Sequence, residues 1–227
     1  MEIPNEHIYE LAIQTTSLLN DSQSDLQNIQ WNEGEANLDT QFSTLACLCC
    51  KKAWQYLQNK YPEYNSIQIE CNLPDIQLTF KKQQQSFQSK IELKSSKSTK
   101  MPGSTIRNLD INQPLIYCLR PNDSKGIYKV RCSQYHQVMT QNKYDLFQDR
   151  TPRPILNFEA MTETPYVQKE KDCWVNHYAT SAIHRLDKAC KHSWQDDIIQ
   201  KIKELILNDF IQTTSIESFK QLKESIK

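Results

Sequence analysis

Hydrophobic and polar residues alternate through the middle of the chain, a pattern that predicts half-buried β-strands. Between two such runs, residues 82–86 carry nothing apolar, which predicts a hairpin turn centred near Gln83–Gln84. The apolar positions of the two predicted strands are Ile76, Leu78 and Phe80 in the first, and Ile91 and Leu93 in the second.

The residues before this hairpin follow a helical period instead. Apolar residues recur every three or four positions from Pro4-Asn5 onward, which predicts a first helix. A polar connection runs through Glu35, and the same period then predicts a longer helix over 36–61, which Pro62 ends.

Alternation predicts a further strand over 67–71, and two more strands are predicted over 114–120 and 127–136, joined by a turn at 121–126. Residues 95–108 form a polar and basic loop between them. Together with the hairpin, these strands predict an α/β fold with a central mixed β-sheet of about five strands flanked by helices.

The C-terminal part of the chain predicts helices again. Residues 145–170 hold three prolines and are predicted to be irregular, whereas helices are expected over 174–189 and after Ser193. With no repeat or long linker, one domain is predicted over residues 1–227, with N-terminal helices over 1–61, a sheet core over about 65–140, and a C-terminal helical part over about 172–227.

Three charged residues of the predicted hairpin converge. Pairing around Gln83–Gln84 puts Asp75 opposite Glu92, while the two-residue period puts Glu92 and Lys94 on one face. Two carboxylates can hold Mg²⁺, which neutralises a phosphodiester transition state and lowers the pKa of bound water. A lysine beside them can hold the attacking water or a phosphate oxygen.

The charge distribution fits such chemistry, although the formal net charge of the chain is zero. Residues 1–50 contain eight acids and neither Lys nor Arg, whereas residues 81–131 contain eleven bases against three acids. A basic segment that flanks a pair of carboxylates favours a polyanionic substrate. The alternative is a solvated charged surface.

Pro74-Asp75, sixteen further residues, and then Glu92-Leu93-Lys94 resemble the signature of the PD-(D/E)xK nuclease superfamily. The resemblance implies that Asp75 and Glu92 bind Mg²⁺ and that Lys94 is the catalytic lysine. Many members carry a further acid on the first core helix; Glu35 is the nearest match here, and Glu70 is the competing candidate.

The loop that follows Lys94, together with the strands after it, resembles type II restriction endonucleases. The similarity covers roughly residues 65–140. This resemblance implies a homodimeric, Mg²⁺-dependent endodeoxyribonuclease that cleaves double-stranded DNA at specific sequences. It also implies a restriction-endonuclease-like core and DNA contacts from Lys97, Lys100, Ser104, Thr105, Arg107 and Asn108.

Two other functions stay open: a structure-specific repair or recombination nuclease on the same core, and a non-catalytic protein that binds DNA or a protein partner. A second metal candidate is the Cys/His-dense region, but its spacings match no zinc module, and buried thiols and surface imidazoles are the favoured interpretation. Its residues are Cys173, His177, His184, Cys190 and His192.

The sequence also predicts the cellular compartment. No window approaches eighteen apolar residues, and the N-terminus has neither a basic nor an apolar signal region. The eight cysteines are therefore expected to be thiols in a reducing compartment, and the protein is expected to be cytoplasmic and not membrane-bound.

Overall fold

Helices open the chain, and strands follow them. A computed structural model describes residues 5–31, 40–64, 66–72, 75–104, 110–123, 126–139, 153–170, 200–205 and 208. Its elements are α1 (Asn5–Asp21), α2 (Gln23–Gln27), α3 (Thr40–Leu57), β1 (Ser66–Asn72), β2 (Asp75–Lys82), β3 (Gln85–Ser96), β4 (Lys100–Pro102), β5 (Pro114–Leu119), β6 (Lys129–Gln134), α4 (Tyr135–Val138), β7 (Ile155–Asn157) and a 3₁₀ helix over Phe158–Ala160.

The chain forms two units. The first comprises Met1–Thr99, Asn112–Gln137 and Met161–Val167, and it contains the large sheet. The second comprises Lys100–Ile111, Val138–Ala160 and Gln168–Lys227. In this second unit β4 pairs antiparallel with β7, and the Gly103 N–H donates to the Pro154 carbonyl at 2.8 Å.

The sheet of the first unit has five strands in the order β1-β2-β3-β5-β6. Neighbouring strands are antiparallel except for β3 and β5, which are parallel. The sheet is therefore mixed and flanked by helices, which confirms the predicted fold class. A parallel pair cannot be joined by a tight turn, so the chain leaves the sheet after β3 and returns to start β5.

One face of the sheet packs against α1 and α3. Helix α1 buries Ile8, Leu11 and Leu19, which share one side of the helix. Its buried Thr15 and Thr16 hydroxyls donate to the Leu11 and Ala12 carbonyls at 2.7 and 2.9 Å, so their burial leaves no hydroxyl without a partner. The sheet side of this core contains Ile69, Ile76, Leu78, Phe80, Ile91, Leu93, Ile116, Cys118, Val130 and Cys132.

Two side-chain amides cover the outer edge of β6. The Asn20 amide accepts from the Val130 N–H at 3.0 Å and donates to the Val130 carbonyl at 2.8 Å. Gln23 makes the same pair of hydrogen bonds with the backbone of Tyr128, at 3.0 and 2.9 Å. These amides satisfy backbone groups that an edge strand otherwise presents to solvent or to another chain.

Several predicted boundaries were wrong. The connection predicted to be polar contains the short helix α2. This helix buries only Leu26, so its sequence shows no helical repeat of apolar residues. Helix α3 ends at Leu57, before the predicted end at Tyr61. The loop at 95–108 contains β4, and 145–170 contains β7 and the 3₁₀ helix.

Other predictions fall on parts of the chain outside the described residues. They include the start of the second helix over 36–39, the helix over 174–189 and the Cys/His-dense region; beyond Ser193, the described residues 200–205 are helical. Within the described ranges, no helix is long and apolar enough to cross a membrane.

Replacing Asn20 with alanine removes both amide partners of Val130. We expect a loss of about 1–3 kcal/mol in the free energy of unfolding, because a partly buried N–H and a carbonyl lose their hydrogen bonds together. Urea denaturation measures this loss. Gln14→Ala, at an exposed position on the same helix, is the control, and an equal loss in both variants would contradict the assigned role of Asn20.

Candidate active site

The β2–β3 hairpin brings the predicted site residues to one level of the sheet. Its register pairs Ile76 with Ile91 and Lys82 with Gln85, so the two-residue turn lies at Gln83–Gln84 as predicted. One step further along both strands, Asp75 lies level with Glu92. The Leu93 N–H donates to Asp75 Oδ1 at 3.3 Å, which holds the first carboxylate against the second strand.

Glu92 is buried together with Lys94. Glu92 is only 1% exposed, although it lies on the polar side of β3. The Lys94 Nζ is 2.8 Å from Glu92 Oε1, and the Lys94 side chain is 11% exposed. Because the two residues are two positions apart on a strand, their side chains leave the same face and meet. The ammonium compensates a carboxylate charge that would be costly to bury alone.

Asp75 has a second cation beside it, since Lys90 Nζ lies 3.3 Å from Asp75 Oδ2. Burial, and then the charge of Glu92, raise the pKa of Asp75 above its usual value of 3.8, against the opposing effects of Lys90, the Leu93 N–H and Lys94. The nearby cations therefore do not fully offset the effect of burial on Asp75. A bound cation would stabilise the ionised pair.

The donor set fits Mg²⁺, which takes oxygen ligands and is commonly bound by one or two carboxylates while it keeps several waters. Asp75 and Glu92 would hold the ion. No group of three or more His, Cys, Asp or Glu that could hold a metal occurs within the part of the chain that the structure describes. A third ligand from Glu35 stays a prediction, because Glu35 lies outside that part.

Glu70, the alternative third acid, lies on β1. It pairs with Gln77, and it therefore leaves the same sheet face as Asp75, on the neighbouring strand and one pair further along. Diagonal neighbours across a strand pair are about 7–8 Å apart. Glu70 is exposed and accepts a hydrogen bond from the Gln68 amide, so it lies next to the carboxylate pair without being buried with it.

The predicted DNA-contacting residues divide between the two units. Lys97 is exposed and directly follows β3 in the first unit. Lys100 is exposed at the start of β4, and Ser104 is half-buried just after this strand; both belong to the second unit. Thr105, Arg107 and Asn108 lie outside the described residues.

Lys90 was missed as a site residue. The signal was present, because Lys90, Glu92 and Lys94 occupy alternate positions and must share a face. Tyr117 is buried on β5, and its hydroxyl donates to the Ser98 carbonyl at 2.6 Å. This bond tethers the start of the basic segment to β5.

The described cysteines behave as hydrophobic residues. All six are free thiols, and five of them are buried. Burial raises the pKa of Cys50 to about 12 and also raises that of Cys49. Neither thiol is therefore an activated nucleophile.

Comparison of the chain with models of known protein families, with curated proteins and with solved structures finds no match. Its function must therefore be inferred from the site itself.

Removing Lys94 should reveal how much the buried ion pair contributes. We expect Lys94→Met to lower the free energy of unfolding by about 3–5 kcal/mol, since one partner of a buried pair is lost. The double variant Glu92→Gln/Lys94→Met should recover most of this loss in urea denaturation. Lys97→Met, an exposed lysine just beyond β3, is the control. A double variant no more stable than Lys94→Met would contradict the pairing.

Asp75→Asn should stabilise the metal-free protein at neutral pH. Because folding raises the pKa of Asp75 above 3.8, the ionised side chain costs stability above its folded pKa, and this cost disappears as the pH falls towards 3.8. Thermal denaturation across this range should show a higher Tm for the variant at pH 8 and a shrinking difference in acid. Asp123→Asn, in an exposed turn, should show no such pH-dependent gain.

Proposed function

We propose that the protein is a Mg²⁺-dependent endodeoxyribonuclease that cleaves double-stranded DNA, similar to type II restriction endonucleases, and that it acts in the cytoplasm. One observation carries the proposal: Asp75 lies level with Glu92 on the adjacent strand, and the carboxylate of Glu92 is buried against the ammonium of Lys94. Packed strands hold these groups more firmly than a surface loop would.

Mg²⁺ bound by Asp75 and Glu92 would supply charge neutralisation at the phosphate and a more acidic bound water. The chain's own residues supply position. Glu92 uses one of the three N–H donors of Lys94, which leaves the ammonium able to orient a water or a non-bridging phosphate oxygen. Lys90 holds the Asp75 carboxylate from the other side.

Cleavage of both strands at a palindromic site is simplest for a protein whose own two-fold symmetry matches that of the site. We therefore propose a homodimer on DNA. Sedimentation of the protein with and without a cleaved oligonucleotide would measure its stoichiometry.

Plasmid digestion tests the activity. With Mg²⁺ the protein should give discrete bands, and EDTA should abolish them. Asp75→Asn, Glu92→Gln and Lys94→Gln should each lower the cleavage rate by about 100-fold or more, because each removes a group that binds metal or orients a reactant. Circular dichroism confirms that each variant is folded.

Other digestion patterns identify the other functions. Cleavage confined to branched or flapped DNA would indicate a structure-specific nuclease instead. No cleavage of any DNA with Mg²⁺ or Mn²⁺ would indicate a binding protein, and undiminished cleavage by the three variants would overturn the assigned site.

Metal binding has a separate readout in thermal denaturation. Mg²⁺ should raise the Tm of the wild type, since a ligand that binds only the folded state stabilises it. Asp75→Asn and Glu92→Gln should lose this rise. Lys94→Gln should keep it while losing cleavage, because the variant removes a cation that competes for Glu92. Loss of the rise in Lys94→Gln would contradict this division of roles.

A further inference from the structure

One face of β3 is polar along its whole length. Its alternate positions on the side of Glu92 and Lys94 are Ser86, Gln88, Lys90, Glu92, Lys94 and Ser96. The opposite side of β3 contributes Ile91 and Leu93 to the core that packs against the helices. The polar side of β3 is therefore built for contact with water or with a polar ligand.

The register extends this polar surface across three strands. Ser86, Gln88 and Lys90 each pair with a residue on β2, which in turn pairs with a residue on β1. The side chains of the three residues in each such row point to the same face of the sheet. Seven of the resulting nine residues are exposed, and none is apolar. We call them the open face: Ser66, Lys81 and Ser86 in the first row, Gln68, Thr79 and Gln88 in the second, and Glu70, Gln77 and Lys90 in the third.

The same side of the sheet is covered one strand further on. Leu115 is level with Glu92, Tyr117 is level with Lys94, and both are fully buried. The side is thus open over β1–β3 and covered over β5. Glu92 and Lys94 lie at the boundary, so a ligand on the open face would end against the candidate active site.

We propose that the open face is the floor on which duplex DNA lies, on one side of the scissile phosphate. The inference rests on the proposed function and adds where the substrate binds. Of its charged residues, Lys90 is paired with Asp75, and Lys81 and Glu70 offset one another, while the six amide and hydroxyl side chains can donate to phosphate oxygens. A surface of neutral donors that runs up to the carboxylates of the candidate metal site therefore suits a phosphodiester backbone.

The shape and composition of the open face favour a duplex bound by its backbone. Proteins that bind single strands stack the bases on aromatic side chains, and the open face has none. The backbones of three strands at about 4.8 Å spacing, with their flanking side chains, fill more than the width of a DNA major groove of about 12 Å. The face therefore lies against the phosphates and does not enter a groove.

The register also gives the length of the floor. Successive rows are two residues apart, or about 6.7 Å, and three such steps separate the Asp75–Glu92 level from the Lys81–Ser86 row. The floor thus extends about 20 Å from the site, which corresponds to about six base pairs at 3.4 Å each. Substrates should need about this much duplex on one side of the cleaved bond.

The decisive experiment compares two substitutions of glutamine by glutamate on β3. Gln88 lies on the open face, whereas Gln85 pairs with Lys82 on the opposite face and is also exposed. Both are made in the Glu92→Gln protein, and fluorescence anisotropy measures binding to a labelled duplex. Gln88→Glu should lower the affinity for the duplex at least tenfold, because it places a negative carboxylate next to the negative phosphates. Gln85→Glu should leave the affinity unchanged.

Two neighbouring lysines give a second comparison, through salt dependence. The Lys82 ammonium lies over the Tyr64 ring, 5.9 Å from its centroid, on the side away from Lys81. Lys81→Gln should flatten the salt dependence by one phosphate contact, so that the fall in affinity between 50 and 200 mM salt becomes about threefold smaller. Lys82→Gln should leave the salt dependence unchanged.

The outcomes separate the floor from the function. If the Glu92→Gln protein binds duplex and Gln88→Glu binds equally well, the floor is wrong and the nuclease proposal stands. If the protein neither binds nor cleaves DNA, both are wrong. Cleavage by the wild type gives a further check when the cut in each strand is scored separately, since a two-fold dimer has one floor on each side of the site. Shortening the duplex to fewer than about six base pairs on one side of a given bond should abolish the cut at that bond, and shortening it on the other side of that bond should not. Equal tolerance on both sides of one bond would also overturn the floor.

Discussion

The register of the β2–β3 hairpin is the constraint on which the rest of the site depends. Side chains on a strand alternate between faces, so a slip of one residue would exchange the core and the site. Ile91 and Leu93 would then face solvent, and Glu92 would face the helices. The apolar residues that pack against α1 and α3 therefore also fix where the carboxylates point. The turn at Gln83–Gln84 enforces this register, with Gln83 in the left-handed region at a φ of 56°.

Charge balance around the carboxylates follows from that register. Two lysines flank one glutamate at alternate positions of β3, and together with Asp75 on β2 this gives each acid a cation within 3.3 Å. The compensation is incomplete, because Asp75 still has a raised pKa. Such a residual imbalance is typical of functional sites, where stability is given up for reactivity.

The sequence was most informative where interactions are local. Alternation and a polar turn were enough to predict the level pairing of Asp75 with Glu92, because one tight turn determines it. The burial of Glu92 could not be predicted, since it depends on β5 lying parallel to β3, and this pairing joins segments that are distant in sequence. Strand β4 could not be predicted for the same reason, because it has three residues and its partner β7 lies far along the chain. Helix α2 was hidden because it buries only Leu26.

The amides that cover β6 have a consequence for how the protein folds. Strands β1, β2 and β3 pair with sequence neighbours and can form early, whereas the bonds from Asn20 to Val130 close a loop of 110 residues. Until α1 docks, the β6 edge is bare, and a bare edge can pair with another chain. Docking of the first helix therefore protects the last strand of the sheet from pairing with another chain. A variant in which this helix docks late would be prone to aggregate during folding.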